Sequence, residues 1–483
     1  MAIILLFSGT AAFAQNGDQL VLTLEQVIDM AQKNSPEAKR VNTVLDNKYW
    51  TYRVYKSNYL PQLTLSGSLP DLNRSIRPVT LFDGTQTFVS STSYSPLADL
   101  RLNQSIGATG GSIGIGSSLT RSVINVSGDG ASSDQYTAVP ASISYTQPLF
   151  GFNNLRWDKK IEPMKYEESK REFNEGMEAA AVQAVDRFFS LLIAQKNYEI
   201  AEKNLANNDT LFQIATGRYN LGKIAEDDLL QMELTVMNSQ NNLSQASLDI
   251  QQANLQLGIF LGMTGEEQFS LVPPTEIPQF SVSPDAALKK AVDNRKETIQ
   301  YDRQLLEAER DVARARGESG LSLDLTASYG LTQNAVLVEN AYNSPQDQQR
   351  LNVGFSIPVL DWGRAKSQVR TAVANKELTD LNVQQDQLNF KQDILLFVNQ
   401  FSMSRQQLAV AKKTDEVAAK RYYISKKRYE IGKIDILDLN VALQEKDSAK
   451  QGYYSSLQTF WTNYYELRRR TLFDFERMEQ LTY

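Results

Sequence analysis

The 483-residue chain contains no cysteine and no histidine. The first absence removes disulfides and thiolate nucleophiles, the second removes Ser-His triads, and together they remove the usual zinc sites. There is no basic excess either: 50 Lys and Arg stand against 56 Asp and Glu, for a net charge of −6 and a pI near 5.2. A nucleic-acid partner, which needs a positive footprint, is not expected. Long apolar runs are missing too, and no window after the N-terminus reaches the 18 or so apolar residues of a membrane-spanning helix. Carboxylates are left for catalysis, but no convergent acid pair can be read from their spacing. No enzyme activity, cofactor or metal is therefore expected. A leader is expected over 1–14, where Ala2-Ile3-Ile4-Leu5-Leu6-Phe7 precedes Ala12-Phe13-Ala14, a small-residue cleavage pattern that lacks the basic n-region. An exported chain without a spanning helix is periplasmic, secreted or a β-barrel protein.

What the chain does have is a duplicated turn. Arg218-Tyr219-Asn220-Leu221-Gly222-Lys223-Ile224-Ala225-Glu226-Asp227-Asp228-Leu229 returns 210 residues later as Arg428-Tyr429-Glu430-Ile431-Gly432-Lys433-Ile434-Asp435-Ile436-Leu437-Asp438-Leu439. Glycine takes up the left-handed conformation that ends a helix, and the acids after it suit the positive start of the next one. Each copy thus reads as the corner of a helical hairpin. A plain corner gives no reason for Arg-Tyr before and Lys-Ile after in both copies, which points to a working tip.

The rest of the chain follows the same duplication. A first repeat over 15–272 holds helices over 22–59, strands at about 60–69 and 140–149 separated by a long insert over 70–139, and a helical hairpin over 153–262. A Pro-rich linker covers 273–284. The second repeat, 285–483, has strands at about 320–333 and 350–359 and a hairpin over 363–475. First strands and first helices match at an offset of 260 and everything later at 210, so the first copy carries about fifty extra residues between its strands. That insert is rich in Gly, Ser, Thr and Asn. It contains a candidate hairpin, Leu100, Leu102 and Ile106 against Ile113, Ile115 and Leu119, and reads equally as part of the sheet or as an external loop. The long segments carry sustained heptads, such as Ala184, Leu191, Tyr198, Leu205, Phe212 and Tyr219, the signature of coiled-coil packing, with Asp415 and Lys446 as interruptions. At 1.5 Å per residue the first would be roughly 90 Å long.

Four strands of about ten alternating residues have the dimensions of membrane-barrel strands. Four cannot close a barrel, and an open edge in lipid is not viable, so several chains must pool theirs, giving 8 from two chains or 12 from three. Aromatics gather where strands meet helices (Tyr55, Tyr59, Phe150, Phe152, Trp362), with Phe152 opposite Trp362 at the 210 offset, as expected of an interfacial girdle. The fold class is α+β, mostly long α-helical coiled coil plus transmembrane β-strands in a tandem structural repeat.

On these residues, above all the two R-Y-x-x-G-K-I turns and the Pro-Leu-Phe and Pro-Val-Leu-Asp-Trp-Gly strand ends, the chain resembles the TolC family of bacterial outer-membrane efflux proteins. The resemblance spans nearly the whole mature chain. It implies a homotrimer, four strands per chain in a shared 12-stranded barrel in outer-membrane lipid of a Gram-negative bacterium, and a periplasmic α-helical barrel. It also implies a passive exit duct for efflux or type I secretion, docked to a periplasmic adaptor (membrane fusion protein) and an inner-membrane transporter. By the same resemblance Asp228 and Asp438, with Asp435 nearby, are channel-mouth acids. Val441 stands where relatives often carry a further acid, which departs from a double acidic ring, and Lys223 and Lys433 oppose the acidic field. Gly222, Lys223, Ile224, Gly432, Lys433 and Ile434 form the adaptor-docking turns, and Arg218, Tyr219, Arg428 and Tyr429 make closed-state contacts. A soluble periplasmic coiled-coil scaffold or adaptor would explain the heptads but not lipid-length alternating strands.

Overall fold

A computed structural model describes residues 20–80, 82–126, 132–264 and 267–483. The leader expected over 1–14 lies outside them. The described residues begin with β1 (Leu20–Leu22), α1 (Leu24–Asn34) and α2 (Pro36–Ser57). Six strands follow: β2 (Gln62–Ser68), β3 (Leu72–Thr80), β4 (Gln86–Tyr94), β5 (Leu97–Ile106), β6 (Gly111–Val126) and β7 (Ser132–Leu149). The first hairpin is α3 (Asn154–Asn220) and α4 (Glu226–Phe260), after which β8 (Phe269–Leu271) leads to α5 (Pro284–Asn294) and α6 (Lys296–Glu318). The second copy continues with β9 (Ser322–Ala335), β10 (Gln346–Ser356), α7 (Arg364–Glu430) and α8 (Ile436–Thr471), and ends on the short β11 (Phe473–Asp474) and β12 (Glu479–Gln480). The 273–284 linker loses its last residue to α5: Pro284 sits in the first turn of that helix, where a missing N–H costs nothing. Among the described residues no helix is long and apolar enough to cross a membrane.

The chain divides into two compact units. One comprises 20–46, Ser169–Thr298 and Leu388–Tyr483. Its core packs Val27 and Ala31 of α1, their 260-offset counterparts Ala287 and Ala291 of α5, and Phe188, Phe189 and Leu192 of α3 with Leu457 and Phe460 of α8. Helix α3 lies beside α4 through Asn208 Nδ2 to Ser239 Oγ (2.8 Å) and beside α8 through Asn204 Nδ2 to Asp447 Oδ2 (2.6 Å). Helix α8 in turn lies beside α7 through Lys450 Nζ and Asp415 Oδ2 (3.0 Å). The flanking helices are α4 and α7. The interrupted heptad positions thus carry polar pairs: Asp415 meets Lys450, and Lys446 meets Asp447 at 3.0 Å.

The seating of α8 has an unfilled twin. Asn440, Gln444 and Asp447 of α8 approach the groove between α3 and α4, whose walls include Ile200, Ala201, Asn208 and Ser239. The positions 210 residues later, Val410, Ala411, Ala418 and Ala449, line an open groove of about 1120 Å³ between α7 and α8. The same offset carries Asn440, Gln444 and Asp447 back to Leu230, Leu234 and Met237 of α4, which are exposed. The filled groove is polar and the open one apolar.

Among its described residues the other unit, Asn47–Glu168 with Ile299–Gln387, holds one antiparallel sheet of eight strands in place of the four expected. The expected four are present as β2, β7, β9 and β10, and β7 pairs β9 across the two copies. The excess comes from the insert, which joins the sheet: β5 and β6 stand between β2 and β7, and β3 pairs β4 beyond them. The physical reason lies in the phase of its alternation, which puts the apolar residues of β5 and β6 on the same face as their neighbours'. One face carries Leu63, Leu102, Ile115, Ile143 and Tyr329 in one cross-strand row, and Leu325, Val353 and Phe355 at its β9–β10 end. The other carries Thr64, Arg101, Gly116, Ser142 and Gly330. The apolar face is bare, with Phe355 73% exposed.

At the strand–helix corners the register of the two copies differs from the expected one. Phe150 and Trp362, each followed by glycine, share a left-handed backbone (φ 64° and 55°) and are both exposed, Trp362 at 90%. Trp362 therefore corresponds to Phe150 rather than to Phe152, because the Pro-Val-Leu-Asp-Trp-Gly strand end is longer by two residues than the offset allows. Phe152 instead packs against Gly317 beneath the Arg314 guanidinium. Tyr59 donates its hydroxyl to the Leu155 carbonyl at 2.6 Å, and Tyr52 stacks on Tyr166 with centroids 4.7 Å apart.

Candidate functional site at the twin turns

Both turns close by the same bonds. Gly222 and Gly432 have φ of 67° and 72°. Each donates its N–H to the tyrosine three residues back (2.8 Å), and the following lysine N–H reaches the arginine carbonyl (2.9 Å). This pair of bonds is the Schellman motif, which satisfies carbonyls that the helix end leaves open. A β-carbon on either glycine would meet nothing within 4 Å, so the glycine answers the left-handed backbone and not crowding.

The acids divide by role. Asp228 Oδ2 accepts the Ala225 N–H at 3.3 Å, and Asp435 Oδ1 accepts the Asp438 N–H at 2.9 Å, so both cap the helix that follows. Asp438 uses its backbone in that cap and presents its carboxylate to solvent.

The turns are joined within one chain. Arg218 donates through Nη2 to the Tyr429 carbonyl (3.1 Å) and the Glu430 carbonyl (2.9 Å), and its guanidinium lies 5.2 Å from the Tyr429 ring centre. Tyr429 is buried with Leu211, Ala215, Met232, Ile436 and Leu439. Burial pushes its hydroxyl pKa up, against the pull of Arg218. The four residues expected to make closed-state contacts therefore separate: Arg218 and Tyr429 meet, whereas Tyr219 and Arg428 are exposed.

Of the expected docking residues, Gly222, Lys223, Gly432 and Lys433 are exposed, but Ile224 and Ile434 turn inward and pack on the Tyr429 cluster. Two apolar residues missed in the sequence are outside in their stead: Leu221 is 74% and Ile431 66% exposed. The signal was available, since they occupy the same place in the repeated dodecapeptide. Among the described residues no cluster of three or more acidic side chains could hold a metal ion.

A sequence model of a family described as "Outer membrane efflux protein" matches residues 108–263 and 287–463. Among curated proteins, "Toxin and drug export protein A" of Aggregatibacter actinomycetemcomitans is 26% identical over 112 residues, 23% of this chain and 24% of that protein, so the match spans about a quarter of its length. Similar solved structures include the Campylobacter jejuni CmeC outer membrane channel (TM-score 0.67, 15% identity, covering 95% of this chain and 87% of that one). Another is the outer membrane protein VceC of Vibrio cholerae (TM-score 0.60, 14% identity, covering 93% and 95%). At such identities the likeness is one of fold.

Proposed function

The chain belongs to the outer membrane efflux protein family, and from that premise we propose that three copies form a passive exit duct through the outer membrane of a Gram-negative bacterium, extending into the periplasm. Substrate would be handed over by an inner-membrane transporter through a periplasmic adaptor, and the bare apolar sheet face would meet outer-membrane lipid. The observation that carries the reading is the unfilled groove. What α8 does for α3 and α4 within the chain, α4 of the next copy would do for α7 and α8, placing Leu230, Leu234 and Met237 against Val410, Ala411, Ala418 and Ala449. Repeating that step closes a ring, as a heterologous contact must if it is not to run on as a filament. A soluble scaffold would leave the apolar sheet face and both sheet edges facing water.

The same repeat logic supplies a gate. Arg218 holds Tyr429 within a chain, so Arg428 would hold Tyr219 of the next copy in the equivalent way, and the two contacts would alternate around the mouth. Adaptor contact at Gly222-Lys223 and Gly432-Lys433, with Leu221 and Ile431 beside them, would loosen these links and shift the closed–open balance. Asp438, the acid with a free carboxylate, would favour cations at the constriction.

Planar-bilayer recording of the purified protein tests both parts. Native trimers should give discrete conductance steps. Arg218→Ala removes hydrogen bonds from a charged donor worth about 2 kcal/mol, which corresponds to a roughly thirtyfold shift of the closed–open ratio towards open. Asp438→Lys should reverse or abolish cation preference. An absence of conductance steps from native trimers would refute the duct, and unchanged gating in both Arg218→Ala and Arg428→Ala would refute the gate.

A further inference from the structure

We infer that each chain contributes six strands, not four, to the wall in the outer membrane, so that three copies close a barrel of 18. The inference rests on the channel reading above and adds to it the make-up of the wall.

The extra pair is β5 and β6, and three observations place them in the wall. The first is pairing. Strand β5 hydrogen-bonds β2 over Gln62–Ser68 on one side and β6 over Gly111–Thr120 on the other, and β6 passes the sheet on to β7. The second copy has no counterpart, since β9 and β10 pair directly with each other.

The second is phase. Leu100 and Leu102 of β5 and Ile113 and Ile115 of β6 fall on the apolar face, and Arg101, Asn103, Ser112 and Gly114 on the polar one. A strand with period two that keeps this order next to lipid-facing neighbours has one side for acyl chains and one for water. Leu100 and Ile115 are exposed, as are Ile143 and Val353 of the strands common to both copies.

The third is anchoring. The 107–110 turn between β5 and β6 is held at the end of the sheet where the strands join the helices. Asn153 Nδ2 donates to the carbonyls of Gly107 (3.1 Å) and Ala108 (3.2 Å), Gln147 Nε2 to that of Thr109 (2.9 Å), and Gln104 Nε2 to that of Tyr59 (2.9 Å). A β-carbon on Gly107 would come within 3.0 Å of the Tyr59 ring, so the turn is fitted to that junction. The turn of the pair therefore lies at the end where β2 begins and β7 ends, and its strands of 10 and 16 residues are long enough to cross the hydrocarbon.

An even number of strands keeps the closure antiparallel. The two free edges are β10 at one side and β2, continued by β3, at the other, and the β10 edge of one copy would pair the β2 edge of the next. Because barrel diameter grows about linearly with strand number, 18 strands in place of 12 widen the membrane segment about one and a half times. That moves the wall into the size class of barrels with an open aqueous lumen.

The native chain has no cysteine, so single introduced cysteines report without background. In trimers reconstituted into lipid nanodiscs, a charged, membrane-impermeant maleimide should label Arg101→Cys, Asn103→Cys and Ser112→Cys at least roughly tenfold faster than Leu100→Cys, Leu102→Cys and Ile115→Cys, which acyl chains would shield. The controls are Asp324→Cys and Asn352→Cys against Leu325→Cys and Val353→Cys on β9 and β10. Alternation at both sets supports the six-strand wall. Alternation on β9 and β10 with fast labelling on both faces of β5 and β6 makes the pair an external loop and overturns the inference while sparing the duct. Loss of alternation everywhere overturns the duct itself. Strand counting by electron cryomicroscopy on the same sample should give 18, and a count of 12 contradicts the inference.

Discussion

Val410→Glu should abolish the trimer while leaving the chain helical. Val410 is 66% exposed in the single chain and lines the apolar groove between α7 and α8. A carboxylate there costs the isolated chain little. Once Leu234 or Met237 of a neighbour closes over it, the charge is desolvated in a groove whose cations, Lys413 and Arg421, already pair with Glu416 and Glu445, at a cost of several kcal/mol. The contact recurs at every interface of the ring, so association should weaken by about a hundredfold or more. Native mass spectrometry gives the oligomer and far-UV circular dichroism the helicity. Adding Leu234→Lys supplies an opposite charge from the facing helix and should restore part of the trimer, which a folding defect at Val410 would not allow. Trimers of undiminished stability in Val410→Glu would place the subunit contact elsewhere.

The second large effect lies within one unit of the chain. Arg468 of α8 reaches Glu178 Oε1 of α3 at 2.9 Å and Asp474 Oδ2 at 3.4 Å, the Tyr483 hydroxyl donates to the same Glu178 oxygen, and Gln32 Nε2 donates to Tyr483 at 2.9 Å. Glu178 has no exposed surface. Burial pushes its carboxyl pKa up, and the adjacent Arg468 pulls it back down. Arg468→Ala leaves Glu178 and Asp474 buried without their counterion, and should lower folding stability by about 3–5 kcal/mol in chemical unfolding of the full chain. The triple variant Arg468→Met, Glu178→Met, Asp474→Asn removes all three charges while keeping an acceptor for the Glu476 and Arg477 N–H groups, and should recover much of the loss, since apolar side chains often replace a buried ion pair without penalty. A loss below 1 kcal/mol in Arg468→Ala would mean that water reaches the site.

How much of this could be read in the sequence depended on how local each feature is. The duplicated dodecapeptide gave away both corners, because a Schellman turn is specified by its own glycine and the residues beside it, and Gly222 and Gly432 adopt it. Heptads foretold the long helices for a similar reason. The inward turn of Ile224 and Ile434 and the contact of Arg218 with Tyr429 depend instead on which helix stands next to which, a matter of 211 residues of separation for the latter bond. The β5–β6 hairpin was visible as two alternating runs, but alternation marks a strand and not its partner. Only the pairing of β5 with β2 and of β6 with β7 shows it inside the sheet. Glu178 and Arg468 gave no signal at all, since a single acid and a single base 290 residues apart look like any two surface charges. The open groove became meaningful only when its filled twin was seen, yet the offset that relates them was already present in the sequence.

The central claim is that this chain is incomplete alone and is finished by copies of itself in a membrane. The most direct measurement is the native mass of the purified protein in lipid nanodiscs compared with detergent-free buffer. Three chains held together in lipid, with aggregation once lipid and detergent are removed, is the predicted result. A monodisperse single chain, stable in plain buffer with its apolar sheet face unshielded, would contradict it.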